Sequence, residues 1–211
     1  MSHPWLGIPI VDDEAHMALP SVGQARLLAV SLQRTVAQFQ PRSLAVLGVA
    51  GGNGLEFIDP AIVRRVVALD FNPDYLDVCT RRHAASFADF EPVLHDLSQG
   101  PPAIARVDCI FAGLVLEYVR LDAICDYLPS ILTDGGSFAA LLQMPSPTIP
   151  EISTSPYASL AQLESAFTFV QPSFLHAALS LRGFLRIASE QIDLDSGKSF
   201  HYASYRLTEA A

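Results

Sequence analysis

The sequence is poor in cysteine, in cationic side chains and in long apolar runs. Among its 211 residues only Cys79, Cys109 and Cys125 are cysteines, and their spacing fits neither a disulfide framework nor a metal site. No window approaches the roughly 18 uncharged apolar residues of a membrane-spanning helix. Residues 5–10 are too short and too interrupted by proline for a secretory signal. We therefore expect a cytoplasmic protein without a membrane anchor.

The shortage of basic residues also limits the partners. Lysine and arginine number 13 against 22 acids, and the formal net charge is −9. Because binding to nucleic acid requires a positive surface, we expect no nucleic-acid partner. Hydrophobic residues make up 50% of the chain and charged residues 17%. This composition and length predict one globular domain, over residues 1–211.

What the sequence contains is an alternation of apolar runs with helical patterns. The buried-strand candidates are residues 44–49, 66–69, 107–112 and 136–142, with a shorter one at 92–95. Continuous apolar strands separated by helices predict a parallel sheet covered on both faces. Two more strand patterns, at 184–194 and 199–207, are joined by Asp195-Ser196-Gly197-Lys198, which predicts a hairpin and an antiparallel last strand.

Two segments stand outside this alternation. Residues 1–41 begin irregularly over the first twenty positions and continue as a helix, with Ser21 as the expected N-cap and Gln24 as its capping-box partner. Residues 145–172 are rich in proline, contain a helical pattern near 160–170, and are typical of a lid. We expect these segments to be an N-terminal flap with a helix, and a lid within the same domain.

The strand ending at Val49 leads into a loop of small residues, Gly48-Val49-Ala50-Gly51-Gly52-Asn53-Gly54. A helix expected from about Asn53 would leave unpaired N–H groups at its start, which favour an anionic ligand group. A dinucleotide fingerprint fails because Phe57 occupies its third glycine position, and no Gly-Lys-Ser/Thr follows for a nucleoside triphosphate. A tight structural turn is the alternative.

Asp70 ends the next apolar strand, about where the ribose-binding acid of a nucleoside site is expected. A carboxylate at this position accepts hydrogen bonds from both ribose hydroxyls. The alternative is a helix cap or a solvated strand end. Together, the loop and Asp70 predict the front half of a site for a nucleoside cofactor.

These motifs, together with His95-Asp96-Leu97, residues 107–118 and Asp134-Gly135-Gly136, resemble the successive motifs of class I S-adenosylmethionine-dependent methyltransferases. The resemblance covers residues 44–142, and the final hairpin resembles the antiparallel last strand of that family. It implies a doubly wound, Rossmann-like α/β fold with seven mostly parallel strands and helices on both faces. It also implies S-adenosylmethionine as cofactor.

The resemblance assigns expected roles to particular residues. Asp70 would bind the ribose, Phe71 would lie against the adenine, and Asp96 would bind the adenine amino group. Leu97 would supply a backbone N–H to the adenine. The other cofactor-binding residues would lie along the methionine portion of the cofactor: Gly48, Ala50, Gly51, Gly52, Asn53, Gly54, Gly113 and Leu114. Gly48 replaces an acid of the family pattern and Ala50 replaces a glycine, a mild change only if its φ is negative.

The activity implied is methyl transfer to a small-molecule acceptor, in which alignment of the reactants supplies most of the rate. A general base is needed only for a protonated acceptor. The main candidates for this base are His16, Glu117 and Tyr118. Two weaker candidates are Tyr157 and His176. Glu117 could instead be a helix-start acid, His16 part of a polar loop, and His176 a packed side chain. We expect no metal site.

The sequence leaves three alternatives open. The first is a protein of the same fold that binds S-adenosylmethionine or S-adenosylhomocysteine without transferring a methyl group. The second is an NAD(P)-dependent oxidoreductase, which the missing third glycine and the hairpin disfavour. The third is a methyltransferase for protein or nucleic acid, which the charge and the segment 112–115 disfavour. For a small acceptor, we expect Phe167, Phe169 and Phe174 to line an apolar pocket.

Overall fold

The computed structural model describes residues 3–146 and 149–208, so the ends of the expected domain and part of the expected lid lie outside the described residues. A seven-stranded sheet has the order β3-β2-β1-β4-β5-β7-β6. Its strands are β1 (Ser43–Leu47), β2 (Arg65–Asp70), β3 (Asp89–Leu94), β4 (Val107–Gly113), β5 (Leu132–Gln143), β6 (Phe184–Asp193) and β7 (Ser199–Leu207).

Strands β1 to β5 are parallel, and β7 lies antiparallel between β5 and β6. The expected sheet and its closing hairpin are therefore confirmed. The α-helices are α1 (Ile10–Ala18), α2 (Gln24–Phe39), α3 (Pro73–His83), α4 (Leu121–Ile131) and α5 (Pro172–Ser180). Within the described ranges, no helix is both long enough and apolar enough to cross a membrane.

Each face of the sheet has its own apolar core. Helices α4 and α5 bury Ile124 and Leu175 against one face. Helices α2 and α3 bury Leu32 and Leu76 against the other. The expectation of helices on both faces is thus confirmed, and the carboxyl ends of the parallel strands are left free to form a site. All three cysteines are buried and free.

The N-terminal expectations were partly wrong. The first twenty residues contain helix α1, whereas an irregular segment was expected. Helix α2 begins at Gln24 with Gly23 as N-cap in the left-handed conformation, φ 68°, so Ser21 is not its cap. Gly23 is the residue best suited to that backbone, and the Ser-x-x-Gln pattern did not reveal it.

The helix expected after the glycine loop is only a single 3₁₀ turn, Leu55–Phe57. Gly54 precedes it with φ 97°, and the side chain of Glu56 accepts the Gly54 N–H at 2.8 Å. Pro60 follows shortly and disfavours helical backbone at the residue before it. The helix near 160–170 is likewise a 3₁₀ helix, Ala158–Ser165. The helix expected from about Asn53, whose N-terminus would favour an anionic ligand group, is therefore not formed.

Candidate functional site

A cavity of about 230 Å³ lies at the carboxyl ends of β1, β2 and β4. The chain passes from β1 to β2 on one side, whereas β4 flanks β1 on the other. The cavity therefore occupies the point where the strand order reverses, which is the usual ligand crevice of open α/β sheets. Side chains from the N-terminal segment and from residues 151–167 cover it.

The loop after β1 has a left-handed backbone at Gly48 and Ala50, with φ 63° and 48°. A Cβ on Gly48 would lie 2.6 Å from Val115 Cγ2, so this position has no room for the acid of the family pattern. Ala50 does not satisfy the condition of negative φ under which its replacement of glycine would be mild. Left-handed backbone costs a residue with a Cβ about 1–2 kcal/mol, so Ala50 is strained.

Asp70 braces this loop from the end of β2. Its Oδ2 accepts the N–H of Ala50 at 2.9 Å, and its Oδ1 accepts the N–H of Asn72 at 2.9 Å. Burial raises the pKa of the carboxyl, and these backbone hydrogen bonds oppose the rise. A carboxylate has about four acceptor sites, so Asp70 retains capacity for a ligand hydroxyl. It is 7% exposed, which rules out a solvated strand end.

Phe71 and Asp96 lie at the β2 and β3 side of the cavity. The ring of Phe71 is met edge-on by His3, with ring centroids 4.8 Å apart. Asp96 caps the turn that contains Leu97 and accepts the N–H of Ser98 at 2.9 Å. The cavity is lined here by His3, Phe71, Asp96, Leu97 and Ser98. The N-terminal segment, through His3, therefore covers the part of the cavity next to β2 and β3.

At the end of β4, Gly113 and Leu114 approach the cavity closely. A Cβ on Gly113 would lie 2.5 Å from Leu28 Cδ2. Leu114 has φ 55° and donates its N–H to the carbonyl of Leu141 at 2.9 Å. Strained non-glycine residues cluster at functional sites. The expected cofactor residues that line the cavity are Gly48, Ala50, Asp70, Phe71, Asp96, Leu97, Gly113 and Leu114.

The remaining expected cofactor residues belong to the same loop but do not line the cavity: Gly51, Gly52, Asn53 and Gly54. A Cβ on Gly54 would lie 2.9 Å from the Cα of Ala29 in α2. Asn53 donates from Nδ2 to the carbonyl of Ala25 at 2.7 Å. These residues therefore pack the loop against the helices, which is what their small size and amide group achieve in this fold.

Glu117 is buried on the turn after β4. It is 2% exposed, its Oε1 accepts the backbone N–H of Gln143 at 2.7 Å, and its Oε2 has no partner among the described residues. Burial raises the pKa of the carboxyl to about 7, against the lowering effect of that N–H. By position Glu117 is a helix-start acid, in the first turn of the 3₁₀ helix Leu116–Tyr118, but its burial and its unpartnered oxygen distinguish it from an ordinary solvated one. Adjacent Tyr118 also lines the cavity, and burial raises the pKa of its phenol.

Helix α1 brings His16 and Asp13 to the same cavity. His16 is 5% exposed and its Nδ1 has no partner in the described part of the chain. Burial, and then the charge of Lys198, lower the pKa of His16. Burial, Glu14 and Asp70 raise the pKa of Asp13 to about 7. The polar-loop interpretation of His16 was wrong, and the spacing of three residues that places Asp13 beside it signals one helix face.

An ion pair holds α1 against the glycine loop. Arg82 of α3 pairs with Glu14 of α1 and also donates to the carbonyl of Gly51 at 3.3 Å. The pair therefore links helix α1, which covers the cavity, to helix α3 next to the glycine loop. It is partly exposed, so its contribution to stability is small.

Sequence reasoning missed a polar group centred on Lys198, the single lysine of the chain. Its Nζ lies 3.5 Å from Gln143 Oε1, which accepts a hydrogen bond from Gln24 Nε2 at 2.9 Å. Lys198 is 3% exposed, and burial lowers the pKa of its ammonium group to about 8. The sequence places it in the expected hairpin turn, and the signal that could have found it is that it is the one lysine of the chain.

Aromatic rings form the apolar wall of the cavity. Tyr118 meets Trp5 and Phe167 edge-on, with centroids 5.2 and 5.5 Å apart. Phe167 lines the cavity, and Phe169 packs behind it at 4.9 Å. Phe174 is 67% exposed on α5, so the expectation that it lines the pocket was wrong. An apolar side chain favours burial, but α5 exposes Phe174 at the surface.

Two weaker base candidates lie elsewhere. His176 stacks on Tyr205 with centroids 6.2 Å apart, in line with the packed-side-chain alternative, and Tyr157 packs near Ile8. Neither lines the cavity. Among the residues that the structure describes, no three metal-binding side chains form a cluster that could hold an ion.

No family model and no curated protein matches the sequence. The structure is similar to the crystal structure of the N-methyltransferase NodS from Bradyrhizobium japonicum WM9 in complex with S-adenosylhomocysteine. The TM-score is 0.66 at 13% identity, over 88% of each chain. It is also similar to magnesium protoporphyrin IX methyltransferase (ChlM) from Synechocystis PCC 6803 with bound S-adenosylmethionine. There the TM-score is 0.63 at 12% identity, over 89% of this chain and 81% of that chain.

The protein shares the Rossmann-like α/β fold of these two structures. The fold is shared by another neighbour, the [4+2]-cyclase SpnF, with a TM-score of 0.65 at 11% identity over 89% of this chain and 82% of that chain. Proteins of this fold therefore carry out more than one kind of chemistry, so the site must decide the function.

Proposed function

We propose that the protein transfers a methyl group from S-adenosylmethionine to a small-molecule acceptor. The observation that carries the proposal is the placement of Asp70, Ala50 and Gly113 around one cavity at the strand-order reversal. Two structural neighbours were crystallised with S-adenosylmethionine or S-adenosylhomocysteine.

The residues of the cavity fit such a cofactor. Asp70 has acceptor capacity for ribose hydroxyls, while Phe71 and Leu97 offer apolar surface for a base. Gly48 and Gly113 line the cavity with backbone, and a Cβ at either position would crowd a neighbouring side chain. When bound, the sulfonium supplies the activated methyl group, and the chain has to align the acceptor with it.

Glu117 is our proposed base for an acceptor that must lose a proton. Its Oε2 has no partner among the described residues, and its pKa of about 7 suits proton transfer near neutral pH. The Gln143 N–H holds the other oxygen and thus the orientation of the carboxyl. Tyr118 and His16 border the same space and would position the acceptor.

The covering segments support the small size of the acceptor. They are short, and Trp5, Leu160 and Phe167 enclose the cavity with apolar surface. The net charge of −9 disfavours nucleic acid, and three free buried cysteines fit a reducing cytoplasm.

Calorimetric titration with S-adenosylhomocysteine tests the cofactor assignment. We expect the wild-type protein to bind it, and Asp70→Asn to bind at least about tenfold more weakly, because an amide is a weaker acceptor than a carboxylate. Asp77→Asn, on the exposed face of α3, is the matched control. Binding of NAD in place of S-adenosylhomocysteine would overturn the proposal in favour of an oxidoreductase.

SpnF provides a reason to keep a second candidate, a protein of this fold whose reaction is not methyl transfer. Radiolabelled S-adenosylmethionine, incubated with panels of small amines, alcohols, thiols and carboxylates, separates the two. Transfer of label supports the methyltransferase. Binding of the cofactor without transfer to any class supports the second candidate.

A further inference from the structure

Lys198 is a buried cation without a counter-charge. Its side chain lines the cavity and is 3% exposed. Over residues 3–146 and 149–208, no carboxylate forms an ion pair with it. Its hydrogen-bond contact is the 3.5 Å approach to Gln143, at the long limit of such bonds. Burying a charge is costly unless it is paired, so an anionic group in the cavity would stabilise the ammonium group of Lys198.

Gln143 positions Lys198 but does not neutralise it. Gln143 Oε1 already accepts from Gln24, and its Nε2 donates to the carbonyl of Glu151 at 2.7 Å. The amide is therefore fixed at both ends. An ammonium group has three donors, so Lys198 retains donors for a ligand in the cavity.

His16 adds a hydrogen-bonding group to the same wall. Its Nδ1 has no partner among the described residues, and the charge of Lys198 contributes to lowering its pKa. His16 is therefore neutral at neutral pH, while Lys198, with a pKa of about 8, is mostly charged. The wall thus presents one positive charge beside one neutral donor or acceptor. That combination matches a monoanion with two oxygens.

We propose that Lys198 and His16 form a carboxylate-binding site in the wall of the cavity. The inference rests on the proposed function, which supplies two possible carboxylates: the one on the methionine portion of the cofactor and one on the acceptor. Gln143 connects this site to the proposed base, because its backbone N–H binds Glu117 while its side chain contacts Lys198. An acceptor held by its carboxylate would therefore place its other groups toward Glu117.

The first arm of the test concerns the cofactor. S-Adenosylhomocysteine and 5′-methylthioadenosine, which lacks the carboxylate, are titrated calorimetrically into wild type, Lys198→Met and Lys198→Arg. Arg186→Met removes a charge from the exposed part of the same hairpin and is the matched control. If the cofactor supplies the carboxylate, Lys198→Met weakens S-adenosylhomocysteine at least about tenfold. Methylthioadenosine binding stays unchanged, and Lys198→Arg restores part of the loss.

The second arm concerns the acceptor and uses Trp5, the single tryptophan, which lines the cavity. Its fluorescence is followed while phenylacetate or the neutral phenylacetamide is added, with and without S-adenosylhomocysteine. If the acceptor supplies the carboxylate, wild type prefers phenylacetate at least about tenfold with S-adenosylhomocysteine bound, and Lys198→Met loses the preference. Thermal unfolding checks that each variant is folded, and Lys198→Gln replaces Lys198→Met if the latter is not.

The results separate the inference from the function on which it rests. If Lys198→Met changes neither S-adenosylhomocysteine affinity nor the preference for phenylacetate, the carboxylate site is wrong even though the cofactor binds. An equal effect of Arg186→Met also overturns it, because a general loss of charge then explains the result. If wild type binds no S-adenosylhomocysteine, the proposed function fails. The phenylacetate arm without cofactor then decides the carboxylate site alone.

Discussion

The two ends of the cavity are built in different ways. The end around Asp70 and Gly113, which we propose for the cofactor and call the cofactor end, consists of strand ends and loop backbone, and its geometry follows from the parallel sheet. The rest of the cavity, which we propose for the acceptor and call the acceptor end, is bordered by side chains from distant segments, such as Glu117 and Phe167. The difference teaches that a fold can form one part of a cavity from its strand ends and leave another part to side chains from segments outside the sheet.

The largest expected effect tests the cofactor end. Asp70→Ala removes the acceptor of two backbone N–H groups, from Ala50 and Asn72. We expect the free energy of unfolding to fall by about 3–5 kcal/mol, because both donors lose a charged partner in a buried place. Urea denaturation measures it, with Asp77→Ala on the exposed face of α3 as control. A loss as small as that of the control would show that Asp70 does not hold the loop.

The second prediction tests the acceptor end. Glu117→Gln should lower the methyl-transfer rate about 100-fold, because an amide cannot take the acceptor's proton. Affinity for S-adenosylhomocysteine should stay within about twofold, since the N–H of Gln143 can still be accepted. The two quantities are measured by radiolabel transfer and by calorimetry. Loss of cofactor affinity together with rate would remove the distinction between the two ends.

The pH dependence of the rate checks the same residue without a large structural change. The carboxylate form is the active base, and the pKa of Glu117 is about 7. The wild-type rate should therefore rise with pH up to about 7 and level off above it. The Glu117→Gln variant should lack this step. A step that persists in the variant would assign the titration to another group, of which Asp13, also with a pKa of about 7, is the first to examine.

A fourth prediction concerns the aromatic wall. Phe167→Ala opens the wall beside Tyr118 and should raise the acceptor KM about tenfold, with a stability loss of roughly 1–2 kcal/mol. Phe174→Ala, at a position 67% exposed, should change both by little. Steady-state kinetics and thermal unfolding measure the pair. Equal effects would mean that the acceptor does not enter the cavity beside Phe167.

The difference between the ends also explains what the sequence could predict. Apolar strand patterns predicted β4 and β7, and the Asp195-Ser196-Gly197-Lys198 turn predicted the hairpin between β6 and β7. Local patterns were sufficient for these elements and for the cofactor end, because the carboxyl ends of parallel strands meet at one edge of the sheet whatever side chains they carry. Lys198 and Gln143 come together only through the pairing of β5 with β7. No local pattern contains that long-range contact.

Ala50 is a position whose effect the sequence could state only as a condition on the backbone. The substitution for glycine was visible, but its cost depends on φ, which is 48° in the folded chain. Ala50→Gly should relieve this strain and raise the free energy of unfolding by about 0.5–1 kcal/mol, after the entropy that glycine adds to the unfolded chain. Ala84→Gly, where φ is −57°, should lower it by a similar amount. Urea denaturation of both variants gives the two signs, and a loss at both positions would show that the loop relaxes around Ala50 at no cost.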